Sequence, residues 1–283
     1  MQLRYLLRRS PEGLTPEGRY QWKTTRATLK QYPKDIRFRR EQAKQGGMPP
    51  MPSPYLRYRV SGNYHIQLFH ESGRGSRNDF ENALKGVGKS FNDFHSILDF
   101  GAGCSRIMRW MQDLSQHAEL YGTDIDAKAI RWSKRHIPFA KFGVNQGLPP
   151  LNYPDGKFDL VYSHSVFTHL NEEYQDAWLA ELKRVTKPGA VLLLTVHGDN
   201  AWQGFYESGK EHPGMAEHVA SYEKNGCHFV HDDEWTGVFP DFYHSMFHQK
   251  RYIMEHWAKY FTILNYLEQG MLNYQDMVVL QRD

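Results

Sequence analysis

The segment Ser96-Ile97-Leu98-Asp99-Phe100-Gly101-Ala102-Gly103 narrows the fold more than any other part of the chain. A short apolar run without alternation reads as a strand buried on both faces, and glycines directly after it read as a strand-to-helix corner. Arg106–Met111 continues that corner as a helix. The pattern then returns: Leu120-Tyr121-Gly122-Thr123-Asp124 is a second strand ending on an acid, with a helix over 127–136 behind it. A third short strand falls around 141–144, a fourth over Phe158–Ser163, and a helix over 171–186. Lys187-Pro188-Gly189 stops that helix, since proline cannot extend it and glycine permits the turn, and Ala190–Val196 follows as an almost continuous apolar strand. A helix over 245–259 leads to strands over 261–267 and 276–280, close enough in sequence to pair antiparallel. Strands alternating with helices, apolar on both faces, specify an α/β architecture: a doubly wound, mostly parallel sheet of seven strands covered by helices on both faces.

Around this core, assigned to 91–198 and 246–283, the chain carries two additions. Residues 1–90 read as an N-terminal cap and arm. Met1–Arg9 is a short capping helix, too short in its apolar part for a secretion signal, and Gly46–Pro52 is an extended linker. Residues 199–245 break the strand-helix rhythm and read as an insertion. Its Trp202, Phe205, Tyr206, His212, His218, Tyr222, His228, His231, Asp232, Asp233 and Trp235 suit either a lid over an acceptor site or a surface excursion with its own aromatic cluster. His228, His231, Asp232 and Asp233 are metal-ligating types, but their spacing matches no familiar site, and no metal is assigned.

Bulk properties exclude several partners. With 35 basic and 32 acidic residues the formal net charge is +3, so no general field for polyanions arises and nucleic acid is not the expected partner. Cys104 and Cys227 are too few for a disulfide framework, and no apolar run is long enough to cross a membrane. The expectation is a cytoplasmic protein without a membrane partner; a homo-oligomer remains open.

In open parallel sheets ligands bind beyond the carboxyl ends of the strands, where strand order reverses. There Gly101 and Gly103 let backbone approach a ligand, Asp99 can meet an ammonium group directly or through water, and Asp124 can accept from both hydroxyls of a ribose. An acid just ahead of the glycine turn would repel the pyrophosphate of a dinucleotide. It suits a cofactor with a cationic amino-acid tail and no phosphate, and S-adenosylmethionine meets that description.

Taken in order, Ile97–Gly103, Gly122-Thr123-Asp124-Ile125-Asp126, Phe158–Ser163 with Ser165-Val166-Phe167-Thr168-His169-Leu170, Lys187-Pro188-Gly189 and the late Gln275-Asp276 pair resemble the successive motifs of class I S-adenosylmethionine-dependent methyltransferases. The resemblance covers about 95–197 and the C-terminal strands, and implies a Rossmann-like seven-stranded sheet with an antiparallel last strand. It departs at Ser105, where relatives carry a third glycine. An altered loop or a hydroxyl donor to the methionine tail would accommodate the change. A second departure is the lack of an acid after the third strand, so Asn145 or nearby backbone is assigned to the adenine amino group. Ile125 and Ser163 join the expected cofactor contacts, and Arg59, on the N-terminal arm, is expected to meet the cofactor's carboxylate.

Methyl transfer from a sulfonium needs alignment and exclusion of water more than catalytic groups. A hydroxyl or ammonium acceptor still needs a base. His164, just past the fourth strand, and His197, just past the fifth, are the candidates for base or acceptor-orienting group, and His169 is given a structural role. The expected acceptor is a small molecule methylated on O, S or N. A protein or nucleic-acid acceptor and a non-catalytic cofactor-binding scaffold are the alternatives.

Overall fold

The computed structural model describes residues 14–231 and 239–283; Met1–Arg9, Asp232, Asp233 and Trp235 lie outside the described residues. Strands β1 (Ser96–Phe100), β2 (Glu119–Asp124), β3 (Ala140–Val144), β4 (Phe158–Ser163), β5 (Thr186–Val196), β8 (Thr262–Met271) and β9 (Gln275–Gln281) form one sheet in the order β3-β2-β1-β4-β5-β9-β8. The first five run parallel; β9 is antiparallel to β5, and β8 to β9. Strand order therefore reverses between β1 and β4, which opens a crevice at their carboxyl ends.

Neighbouring residues on each central strand enter opposite cores. Ile97, Leu160 and Leu193 pack with Phe80, Ala83 and Leu84 on one face; Leu98, Val161 and Leu192 pack with Trp178, Leu179, Leu182 and Trp257 on the other. Such two-sided burial explains the unbroken apolar runs, because neither face of these strands meets water. Helix α3 (Ile66–Lys85) covers the first face, and α5 (Glu172–Val185) with α8 (Lys250–His256) the second. Asn171 caps α5 by accepting from Tyr174 N at 3.0 Å, and Asp126 caps α4 (Ala127–His136) by accepting from Lys128 N at 2.9 Å.

Three local expectations are corrected. The corner after β1 is not an α-helix: Ser105 has φ 60° and residues 108–110 and 112–116 form short 3₁₀ turns. A left-handed serine cannot sit inside an α-helix. β5 begins at Thr186, ahead of the Lys187-Pro188-Gly189 turn, which becomes an irregularity in its pairing with β4. Ser245–His248 is strand β7, paired with β6 (Cys227–Val230) in a separate two-stranded sheet, and α8 starts only at Lys250. Tertiary partners hold it extended, since Met246 N donates to Thr168 O at 2.8 Å and His248 N to His197 O at 2.8 Å. The N-terminal arm contains α1 (Pro16–Gln45) and α2 (Pro54–Ser61) as well as α3. Buried Arg57 on α2 joins them, donating to Asp35 of α1 at 2.9 Å and to Pro52 O at 2.7 Å.

Within the insertion, α6 (Asp199–Gly209) and α7 (Met215–Asn225) pack Trp202, Tyr222, Phe205 and Val219 with Phe247 in a cluster of their own. A different stretch, Phe239–Tyr243, reaches the sheet crevice.

Candidate active site

The carboxyl ends of β1, β2 and β4 border a cavity of about 300 Å³. Its floor is the turn after β1. Gly101 has φ +91° and Gly103 φ +52°, and a Cβ at either would stand 2.2 Å from Val166 Cγ2 or 2.6 Å from Val60 Cγ2. Both positions thus need glycine for conformation and for space, and both line the cavity. Ser105 has no cavity role: its Oγ is buried and bonds Ser133 Oγ at 2.8 Å, so the hydroxyl suggested for the methionine tail is turned inward.

Asp124 lines the cavity and ties its walls together. One carboxylate oxygen accepts from Gly103 N and the other from Asp126 N, each at 2.7 Å. Burial pushes its pKa up while those two backbone bonds oppose the shift. Each oxygen keeps a further acceptor site for a ribose hydroxyl. Ile125 and Asn145 lie alongside. Asn145 Nδ2 donates to Gln146 O at 2.8 Å, and its buried Oδ1 has no partner among the described residues. An orphaned amide oxygen on the cavity wall is the acceptor that an adenine amino group requires. Trp178 and Leu170 complete this side, with Trp178 Nε1 donating to Gly147 O at 2.9 Å.

Other expected contacts are placed elsewhere. Asp99 is buried and does not line the cavity; burial holds its carboxyl up at about 8. Ser163 is likewise buried off the lining. Arg59 does line the cavity, but its Nε donates to Asp126 at 2.5 Å and its guanidinium lies 4.5 Å from the centre of the Phe239 ring. That charge is committed to an acid of the protein.

The histidines separate into three situations. His164 lines the cavity, and its Nδ1 lies 3.1 Å from Arg106 Nη2 and 3.1 Å from Ser76 Oγ. A guanidinium only donates, so Nδ1 carries the lone pair and the neutral ring bears its proton on Nε2. Burial, then the charge of Arg106, then His197 drive its pKa well down. His164 can therefore donate a hydrogen bond, but it is not poised to take a proton. His197 does not line the cavity: it stacks on Phe247 at 5.4 Å, and burial lowers its pKa to about 3. His169, given a structural role from sequence, is on the cavity wall, stacked on Tyr243 at 4.1 Å with Nδ1 2.9 Å from the carbonyl of His244. Donation to that carbonyl makes Nε2 the basic nitrogen of the neutral ring.

Sequence reasoning also missed Arg106, Gln275 and the Phe239, Phe242 and Tyr243 wall. Gln275, half of the late Gln-Asp pair, donates to Ser165 Oγ at 2.8 Å and ties β9 to the loop after β4. The aromatic wall had no usable signal, because its stretch has no period and meets the cavity only through tertiary packing. Among the described residues no three His, Cys, Asp or Glu side chains cluster as a metal site would require.

Comparison with known proteins fits this geometry. Residues 98–194 match the family model described as a methyltransferase domain. The chain is 29% identical over 108 residues to the ubiquinone/menaquinone biosynthesis C-methyltransferase UbiE of Neisseria gonorrhoeae, a match covering 35% of this chain and 41% of that protein. The chain thus spans less than half the length of that curated relative. The crystal structure of the PH0226 protein from Pyrococcus horikoshii superposes with a TM-score of 0.50 at 16% identity, covering 80% of this chain and 98% of that one. A Methanosarcina mazei structure described as a SAM-dependent methyltransferase aligns with a TM-score of 0.47 at 21% identity, covering 66% of this chain and 92% of that one.

Proposed function

We propose that this chain is an S-adenosylmethionine-dependent methyltransferase that methylates a small-molecule acceptor held between the glycine turn and the aromatic wall. One observation carries the reading. A single cavity joins the Gly101–Gly103 turn, Asp124 and the orphaned Asn145 oxygen to His164, His169 and the ring wall of Phe239, Phe242 and Tyr243. Cofactor-type and acceptor-type groups therefore share one cavity, as in-line transfer demands.

Bound there, S-adenosylmethionine supplies an electrophilic methyl group. The residues do the rest. Asp124 would accept from the ribose, Asn145 Oδ1 from the adenine amino group, and the Gly101–Gly103 backbone would support the methionine portion. His164 Nε2–H orients the acceptor. His169 Nε2 takes the proton that an oxygen or nitrogen acceptor sheds as its bond to the methyl forms. The stretch 239–243 acts as the lid, excluding water.

The Neisseria relative is named for C-methylation in quinone biosynthesis; at that identity and coverage it supports methyl transfer and leaves the acceptor open. The test is methyl-labelled S-adenosylmethionine incubated with the protein and a fractionated metabolite pool. Label in a small molecule, with S-adenosylhomocysteine formed in equal amount, is the expected result. Label confined to protein or nucleic acid would move the acceptor class, and no product at all would leave a cofactor-binding scaffold.

A further inference from the structure

Arg106 brings a guanidinium to the cavity wall without a carboxylate to balance it. The residue is 8% exposed, and among the described residues it forms no ion pair. Its Nη1 donates to Ser72 Oγ at 3.4 Å and its Nη2 to His164 Nδ1 at 3.1 Å, both neutral groups. Its buried Nε has no hydrogen-bond partner among the described residues. Helix α3 fixes this arrangement closely: a Cβ on Gly73 would lie 2.1 Å from the Arg106 carbonyl oxygen. Asp99 is near enough to feel the charge, but it forms no ion pair with the guanidinium, and burial pushes its carboxyl toward the neutral form. A buried cation with unused donors, aimed at a ligand cavity, is one half of a pair whose other half enters with the ligand.

The position within the cavity identifies that other half. The ribose and adenine groups, Asp124 and Asn145, sit at the ends of β2 and β3. Arg106 follows the glycine turn directly and contacts His164 beyond β4, on the far side of β1 in the sheet order. That is the methionine side of the site. Arg59, assigned to the same job from sequence, is already bound to Asp126. We propose that Arg106, held by Ser72 and His164, receives the carboxylate of the cofactor's methionine tail. The assignment rests on the methyltransferase reading above. It also gives the Arg106–His164 contact a purpose: the guanidinium that holds the tail fixes the His164 tautomer that faces the acceptor.

The test is calorimetric and needs no turnover. Wild type, Arg106→Met and Arg106→Lys are titrated with S-adenosylhomocysteine and with decarboxylated S-adenosylhomocysteine. Wild type is expected to prefer the carboxylate-bearing ligand by about 10- to 100-fold, the range for a charge-assisted contact. Arg106→Met should bind both ligands alike, at the level of the decarboxylated one, and Arg106→Lys should keep part of the preference. The ligand-free Met variant should melt no lower than wild type, because an uncompensated buried charge has been removed. Wild-type affinity for S-adenosylhomocysteine in the Met variant would overturn the assignment and give the guanidinium to an anionic acceptor. Equal weakening of both ligands would also overturn it, showing loss of cavity shape and not of carboxylate recognition. Wild type that binds neither ligand would instead strike at the methyltransferase reading itself.

Discussion

Gly101→Ala is expected to weaken S-adenosylhomocysteine binding by about 100-fold or more while the protein still folds. Two effects add. Alanine at φ +91° is strained, by roughly 1–2 kcal/mol for the left-handed region, and its Cβ would stand 2.2 Å from Val166 Cγ2. The backbone can relieve the overlap only by moving the turn, and Val166 only by swinging within the cavity it lines. Both responses deform the surface under the methionine portion. Because the clash has one identified partner, Gly101→Ala with Val166→Ala should recover the steric part of the loss and keep the conformational part. Calorimetry on the single and double variants, with melting curves for folding, reads this directly. Near-wild-type affinity in Gly101→Ala would show that the turn does not support the ligand.

His169→Gln is expected to lower turnover by about 10² to 10⁴, the usual contribution of a positioned base, with S-adenosylhomocysteine affinity changed less than about threefold. The His244 carbonyl fixes the Nδ1 proton of His169 and leaves Nε2 basic, whereas Arg106 fixes the reverse arrangement in His164. His164→Ala should therefore cost less, and chiefly in acceptor KM. His197 packs against Phe247 off the cavity wall, so its replacement should act through stability. A thioether acceptor has no proton to release, and an S-methylating enzyme would tolerate His169→Gln. If turnover of a hydroxyl or ammonium acceptor survives the substitution, the base assignment is wrong.

The contrast between these histidines shows where sequence reading stops. Strands β1, β2, β4 and β5 were legible because burial on both faces leaves an unbroken apolar run, and the acids and glycines at their ends marked the crevice. Asp124, Gly101, Gly103, Ile125 and Asn145, expected at that crevice, line its cavity. Which imidazole faces the cavity, and with which nitrogen, depends on partners from distant elements: Arg106 and Ser76 for His164, His244 for His169, Phe247 for His197. Position at a strand end carries no information about those contacts.

The N-terminal helices were hidden for a different reason. The buried face of α1 is Tyr20, Thr24, Gln31 and Asp35, three of them polar, and the helix also contains Pro33, so no apolar period announces it. Helix α3 carries Gly73 where a helix former would be expected, because that glycine admits the Arg106 backbone. In both places a tertiary contact has overridden local preference. The same contact explains why Arg106, the third residue past the glycine turn, gave no sign from sequence of pointing into the site.

The central claim is that this cavity recognises an adenosine joined to an amino-acid tail and not a dinucleotide. Titration calorimetry with S-adenosylhomocysteine and with NAD tests it most directly, with Asp124→Ala as the internal control. One S-adenosylhomocysteine per chain, no measurable NAD binding, and a loss of about 1.5–3 kcal/mol in the Asp124 variant, the range for hydrogen bonds to a charged group, is the predicted result. Comparable affinity for NAD, or an affinity for S-adenosylhomocysteine that Asp124→Ala leaves unchanged, would contradict it.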